Sequence, residues 1–570
     1  MLAEISLALL LVAQNPTSQI KEIYEKVNTA PIEKAFAAIR EEFGANATRV
    51  NRFGVESPLF SEYVFTPDPK INVKVKLDLD WAKKEGDGIV SESTWYTYLD
   101  YPFEKPPIKV TISWRYRENW ALVNGKPELR RLEVLWERSH RDGYPDTVTK
   151  SLPNWSQSKL DQAIGGIRQA ALQFSSEVPT SDISELDPLI PIIGNAKVVG
   201  LGEASHGTAE HFRMKHKLVR FLVEKMGFTV FAIEGNWPES DSANAYIQSG
   251  VGNPKDALRA MYFWTWQTEE IRDMLDWMKA YNADPSHPKK IIFSSYDMQT
   301  EVVAKDKVLS YLAAVAPDLH QKTKKLYEKK VDRNAAMSGQ LPKKDWEVVK
   351  KNAMEARDLI RSNKKRLLTK GPSGEYLDAE HAATIYVQWT QMLVPNFFQS
   401  FGVRDRSMAE NILWLLNVRF PGQKVMAWAH NGHVSFGDYL RGVSSMGNVL
   451  QRSLGKKYFV FGFASYAGEI RAVPMNAQGM QSGGPKPLAL PTPVPRSIEA
   501  VLHQVGPRLI LPLRDAKGIV KEWAEQPWAH RAPGAAFDPL NQENQFSETP
   551  IRQGFDALIF IDKSTAAKGL

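Results

Sequence analysis

"KVVGLGEASHG", residues 197–207, is an apolar run that stops at a polar cluster framed by two glycines. Residues 198–201 read as a buried strand, and Glu203, Ser205 and His206 follow it at once. A polar strand end is ordinary turn chemistry when it stands alone. Three further apolar runs end the same way. "TVFAIEG" closes on Glu234, "IIFSSYD" on Asp297, and "VMAWAHNGH" on His430 and His433. In an open parallel sheet the carboxyl ends of the strands share one edge, and the ligand crevice lies there. Four strands delivering ionisable groups to that edge predict one site.

The rest of the chain fits this frame. Strands are read at 198–201, 229–233, 291–295, 425–428, 458–463, 509–512 and 557–561, mostly as continuous apolar runs with helical patterns between them. Such runs suit strands buried on both faces. The expected fold is α/β, a mostly parallel sheet with flanking helices and a large helical insertion at about 305–420. Residues 474–496, rich in Pro and Gly, read as a long surface loop. Upstream, helical spacing over 16–45 gives way to alternating runs such as "INVKVKLDLDW" and "RRLEVLWER". A small α+β domain is therefore expected over 16–155, before an α/β domain over 156–570.

The bulk numbers exclude several classes. The chain has 570 residues, 43% of them apolar, and no cysteine. Disulfides, thiolate metal sites and cysteine nucleophiles are ruled out. The net charge of +7 is concentrated at 320–370, where helical patterns carry solvated basic faces without a nucleic-acid motif. No nucleic-acid partner and no integral membrane span are expected. Residues 1–15 hold a short apolar stretch, a candidate signal peptide without a basic n-region. Export and cytoplasmic residence both stay open.

Two carboxylates and several imidazoles suit water activation. A histidine can take a proton from water near neutral pH, and a carboxylate on its far nitrogen fixes the tautomer. Ser205 lacks the G-x-S-x-G setting of a nucleophile elbow. The same Glu and His residues could ligate a metal, so a metal-dependent hydrolase or an iron- or haem-binding protein is the alternative. Trp237, Trp264 and Trp266 read either as walls of the cleft or as core.

Beyond these physical readings, "VVGLGEASHGTAEHFRMKHKLV", "FAIEGNWPESDSANAYI", "FWTWQTEEIRDMLDWMKAYN", "RDRSMAENILWL" and "VMAWAHNGHVS" resemble the erythromycin esterase family, with "FDALIFIDKSTAA" like its last strand. The resemblance implies an α/β core with a helical cap. It implies hydrolysis of a macrolide-type ester by histidine-activated water, with no cofactor, and it brings antibiotic resistance into view. It assigns His206 as general base, Glu203 and Glu234 as its carboxylates, and His430 and His433 as a second cluster. Lys215, Asp297 and Arg404, with the three tryptophans, are then the expected substrate contacts. Asp405 shares the Arg404 motif, without a role that can be read. The expected partner is a small ester or lactone.

Overall fold

The computed structural model describes residues 16–44, 46–59, 72–102, 108–141, 147–150, 152–333, 343–394, 397–440, 443–475, 481–539 and 545–570. The candidate signal peptide lies outside them. The described chain forms two compact units, one reaching Asn154 and including Val494–Arg496, the other covering Trp155–Pro493 and Ser497–Leu570.

In the first unit, helices Pro16–Thr29 and Ile32–Phe43 precede four long antiparallel strands, Asn72–Glu85, Gly88–Tyr101, Ile108–Val123 and Lys126–Arg141. Its core packs Ile20, Tyr24 and Phe43 of the helices against Leu77, Trp120 and Leu132 of the sheet.

The second unit is built on a ten-stranded sheet. Six strands run parallel in the spatial order Ile292–Asp297, Val230–Asn236, Val425–Trp428, Val198–Leu201, Tyr458–Pro474 and Ala557–Ser564. Side chains alternate between faces, as the strand period requires. Val199, Leu201, Phe231, Ile233, Met426 and Trp428 pack on the side of helices Ala209–Met226 and Glu269–Ala283. Val198, Val230, Ala232, Val425 and Ala427 pack on the opposite side with Ile164, Met408 and Val501. The segment between Asp297 and Val425 adds six α-helices among the described residues, Val302–Val315, Pro317–Tyr327, Lys343–Ser362, Lys364–Leu368, Ser373–Met392 and Phe397–Trp414, with an apolar core of their own.

Two expectations are met in part. The six parallel strands fit the expected sheet, but its edge is mixed, because Arg508–Pro512 runs antiparallel to Ala557–Ser564 and Leu172–Gln173 antiparallel to Arg508–Pro512. A run buried on both faces looks the same in either direction, so composition does not encode its polarity. The stretch 474–496 is not all loop. Lys486–Leu490 pairs antiparallel with residues 468–472, folding Tyr458–Pro474 into a hairpin that projects past the parallel strands.

Register places the site. Leu201, Trp428, Ile233 and Ser295 are partners across four neighbouring strands. The residues just beyond them, Glu203, His430, Glu234 and Asp297, therefore leave the sheet at one level.

Candidate active site

Glu203 is fully buried, and each of its oxygens is used. Oε1 accepts from Nδ1 of His206 at 2.6 Å. Oε2 accepts from Nε1 of Trp428 at 2.8 Å and from the Lys215 ammonium. Burial pushes the Glu203 carboxyl up, but Lys215 and the His206 hydrogen bond outweigh it and hold the group at about 2. An ionised carboxylate only accepts, so the proton of neutral His206 sits on Nδ1 and Nε2 is the basic nitrogen. Among the described residues that Nε2 has no hydrogen-bond partner, and the side chain is 12% exposed, the most accessible imidazole in the cluster. Its ring lies edge-on to Trp266 at 5.8 Å and 5.3 Å from the ring of His430.

The loop carrying His206 is held from two sides. Gly534 N–H donates to the Ala204 carbonyl at 3.1 Å, and His206 N–H donates to the Gly534 carbonyl at 3.2 Å. Gly207 lies so close to the hairpin strand that a Cβ there would come within 1.9 Å of the Arg471 carbonyl oxygen. Only glycine permits that approach.

A second network adjoins the first. Arg404, on helix Phe397–Trp414, donates Nη2–H to Glu234 at 2.6 Å and to Asp297 at 2.7 Å, and its Nε–H to Asp297 at 3.1 Å. The fork of one guanidinium thus spans two strand ends. His433 places Nδ1 2.9 Å from Asp405 and Nε2 3.2 Å from Glu234. Burial pulls His433 down, but carboxylates on both nitrogens prevail and raise it to about 9. Nη1 of Arg404 lies 3.1 Å from the same Nε2. With His433 charged, these are two donors facing each other, so the carboxylate contacts decide its state. Burial pushes Glu234 up, and His433 and Arg404 hold it well below the usual carboxylate range.

His430 differs from both. Its Nε2 donates to the Ala204 carbonyl at 3.1 Å and its Nδ1 accepts from Gly432 N–H at 3.2 Å. Burial, with the charges of His206 and His433, drives it down to about 3. It is a neutral brace with both nitrogens committed. Its backbone N–H donates to Glu234 at 3.0 Å.

The expected substrate contacts fall into different places. Lys215 is sealed, with Nζ 3.6 Å from the centre of the Trp428 ring, and burial draws its ammonium down to about 7 against the pull of Glu203. It stands behind the carboxylate, closed off from solvent. Asp297 and Arg404 are bound to each other inside the ion cluster. Trp237 is core, packed on His381 and Trp414. Trp266 is nearly buried, reaches His206, and donates its indole N–H to the Glu234 carbonyl at 2.9 Å. Trp264 is half-buried beneath the Arg471 guanidinium. Ser205 is buried, its Oγ accepting from Gly207 N–H at 3.1 Å. Trp428, Gly534 and the role of Asp405 escaped the sequence reading. Trp428 closes a strand already singled out, which was the available signal. Among the described residues no three His, Asp or Glu side chains gather as a metal's ligands would.

The erythromycin esterase family model matches residues 223–564. The chain belongs to the erythromycin esterase family. By family it is a hydrolase. The matched span holds Glu234, Asp297, Arg404, Asp405, His430 and His433, while Glu203 and His206 precede it. Erythromycin esterase type II of Escherichia coli is 26% identical over 339 residues, 54% of this chain and 78% of that one. The solved structure of a succinoglycan biosynthesis protein is similar at 29% identity and TM-score 0.63, covering 73% of this chain and all of that one. A Bacillus cereus protein is similar at 27% identity and TM-score 0.64, covering 72% and 99%. A mutant of the erythromycin esterase EreC in its open conformation shares the fold, at 18% identity and TM-score 0.53 over 69% of this chain and 97% of that one. This family member has no helix among its described residues long and apolar enough to cross a membrane.

Proposed function

We propose that the protein hydrolyses a carboxylic ester, a macrolactone being one candidate, by direct attack of water that His206 activates. The observation that carries this reading is the asymmetry of His206, with Nδ1–H on a buried ionised carboxylate and Nε2 without a hydrogen-bond partner among the described residues. Nε2 takes the proton of a water, and the oxygen of that water attacks the carbonyl carbon. The imidazolium is steadied by Glu203, which Lys215 and Trp428 keep ionised and fixed in place. As the tetrahedral intermediate collapses, the proton passes from Nε2 to the leaving alkoxide, so the base is restored. His433 and Arg404, whose donors are taken by Glu234, Asp297 and Asp405, fix the strand ends that flank His206. Glu234 orients both and is a positioning residue.

A panel of lactones and aryl esters tests the reading with purified protein. A single turnover in ¹⁸O-water places the label in the acid product with no acyl-enzyme detectable by mass spectrometry. Absence of turnover on every ester, or a trapped acyl group on Ser205, overturns it. Turnover that vanishes after chelation and returns with added metal favours the metal-dependent alternative instead.

A further inference from the structure

We infer that Arg471 and the turn at 262–266 form a subsite for an anionic group that the substrate carries beside its scissile ester, an inference that rests on the ester-hydrolase reading above. Arg471 lies on the hairpin half of Tyr458–Pro474, and its backbone N–H donates to Gly207, the neighbour of His206, at 2.9 Å. Its guanidinium lies over the Trp264 ring at 5.0 Å and donates to the Trp264 carbonyl at 3.3 Å. On another side it meets Gly569, where a Cβ would come within 2.8 Å of Nη2. The guanidinium is thus held in a fixed slot, half-buried, yet no carboxylate lies within ion-pair distance of it among the described residues. Glu270 is the carboxylate whose charge reaches it, and both oxygens of Glu270 accept from Lys568 N–H at 3.3 Å. A positioned arginine with donors to spare is suited to a carboxylate ligand.

The turn links this cation to the chemistry. Trp264–Trp266 is a single 3₁₀ turn, with Trp264 under Arg471 and Trp266 against His206. Two residues of such a turn advance roughly 4 Å along its axis, so the two contacts are neighbours. Tyr262 adds an independent observation. It holds φ at +72° although it is not glycine, and its side chain is 66% exposed. A bulky residue in the left-handed region is strained, and such strain gathers at ligand clamps. The turn thus carries an exposed ring at Tyr262 and, over Trp264, a cation, a platform for a ligand with a carbon frame and a negative charge. Such a ligand would be the half-ester of a dicarboxylic acid or a similarly charged ester.

The test compares two aryl esters of equal length, a hemisuccinate and a butyrate, on the full chain and on Arg471→Gln and Arg471→Lys. The ratio of kcat/KM for the charged over the neutral ester is expected to fall roughly 10- to 100-fold in Arg471→Gln, with partial recovery in Arg471→Lys. Equal ratios in all three proteins overturn the inference. Calorimetric titration with glutarate, which needs no hydrolysis, is expected to show binding that weakens at least about tenfold in Arg471→Gln and also in Trp264→Leu. No binding to the unaltered protein, or equal binding by the variants, overturns it. Glutarate binding through Arg471 in a protein that cleaves no ester keeps the subsite and removes the hydrolase reading.

Discussion

Replacing Lys215 by Met leaves the Glu203 carboxylate buried without its cation, and the consequence can be worked out. In the folded protein Glu203 sits at about 2 against an ordinary 4.5. Ionised Glu203 therefore favours the folded state. Because its folded value is depressed, that contribution is complete above pH 4.5 and is lost as pH falls toward 2. Lys215 is its leading stabilising partner. Breaking a buried ion pair from one side costs about 3–5 kcal/mol, a large part of the roughly 5–15 kcal/mol that a domain has. Lys215→Met should lower the urea midpoint accordingly and flatten the acid limb of stability. Glu203→Gln should also destabilise, since it strands the ammonium. The double variant should recover part of the loss, giving a coupling of about 2 kcal/mol or more. If Lys215→Met costs less than about 1 kcal/mol and the two changes are additive, the pair is not the strut described above.

The remaining predictions concern the second network and the indole. His433 is raised from 6.5 to about 9, so its contribution is complete below pH 6.5 and is lost as pH rises through 9; unfolding free energies measured from pH 6 to 10 should decline by about 3 kcal/mol in the unaltered protein and far less in His433→Gln. Arg404→Lys keeps the charge but cannot fork between Glu234 and Asp297, and steady-state kinetics should show kcat reduced at least about tenfold while circular dichroism is retained. Trp428→Phe removes one of three donors to Glu203, and urea unfolding should register a loss of about 1–2 kcal/mol beside a several-fold drop in kcat/KM.

Much of this arrangement is legible in the chain because sheet geometry does most of the gathering. The residues after 201, 233, 295 and 428 must emerge together once their strands are parallel neighbours, and short apolar runs mark those strands. Roles within the cluster are less legible. "RMKHKL" presents Lys215 as a basic residue suited to a substrate contact, and only the fold brings a buried carboxylate to it. His430 and His433 stand three residues apart with similar neighbours, yet one has a carbonyl and an amide on its nitrogens and the other has two carboxylates. That difference sets one at about 3 and the other at about 9. Gly534 comes from a loop more than 300 residues downstream of His206, and no local signal ties the two. The reversal of Arg508–Pro512 is hidden for a similar reason, since burial on two faces carries no direction.

The central claim is that His206 is the group that readies water. The most direct measurement is kcat/KM of His206→Asn on a reactive ester, with circular dichroism confirming the fold. A fall of about 10²–10⁴-fold is the predicted result. A rate within a few-fold of the unaltered protein would contradict the account.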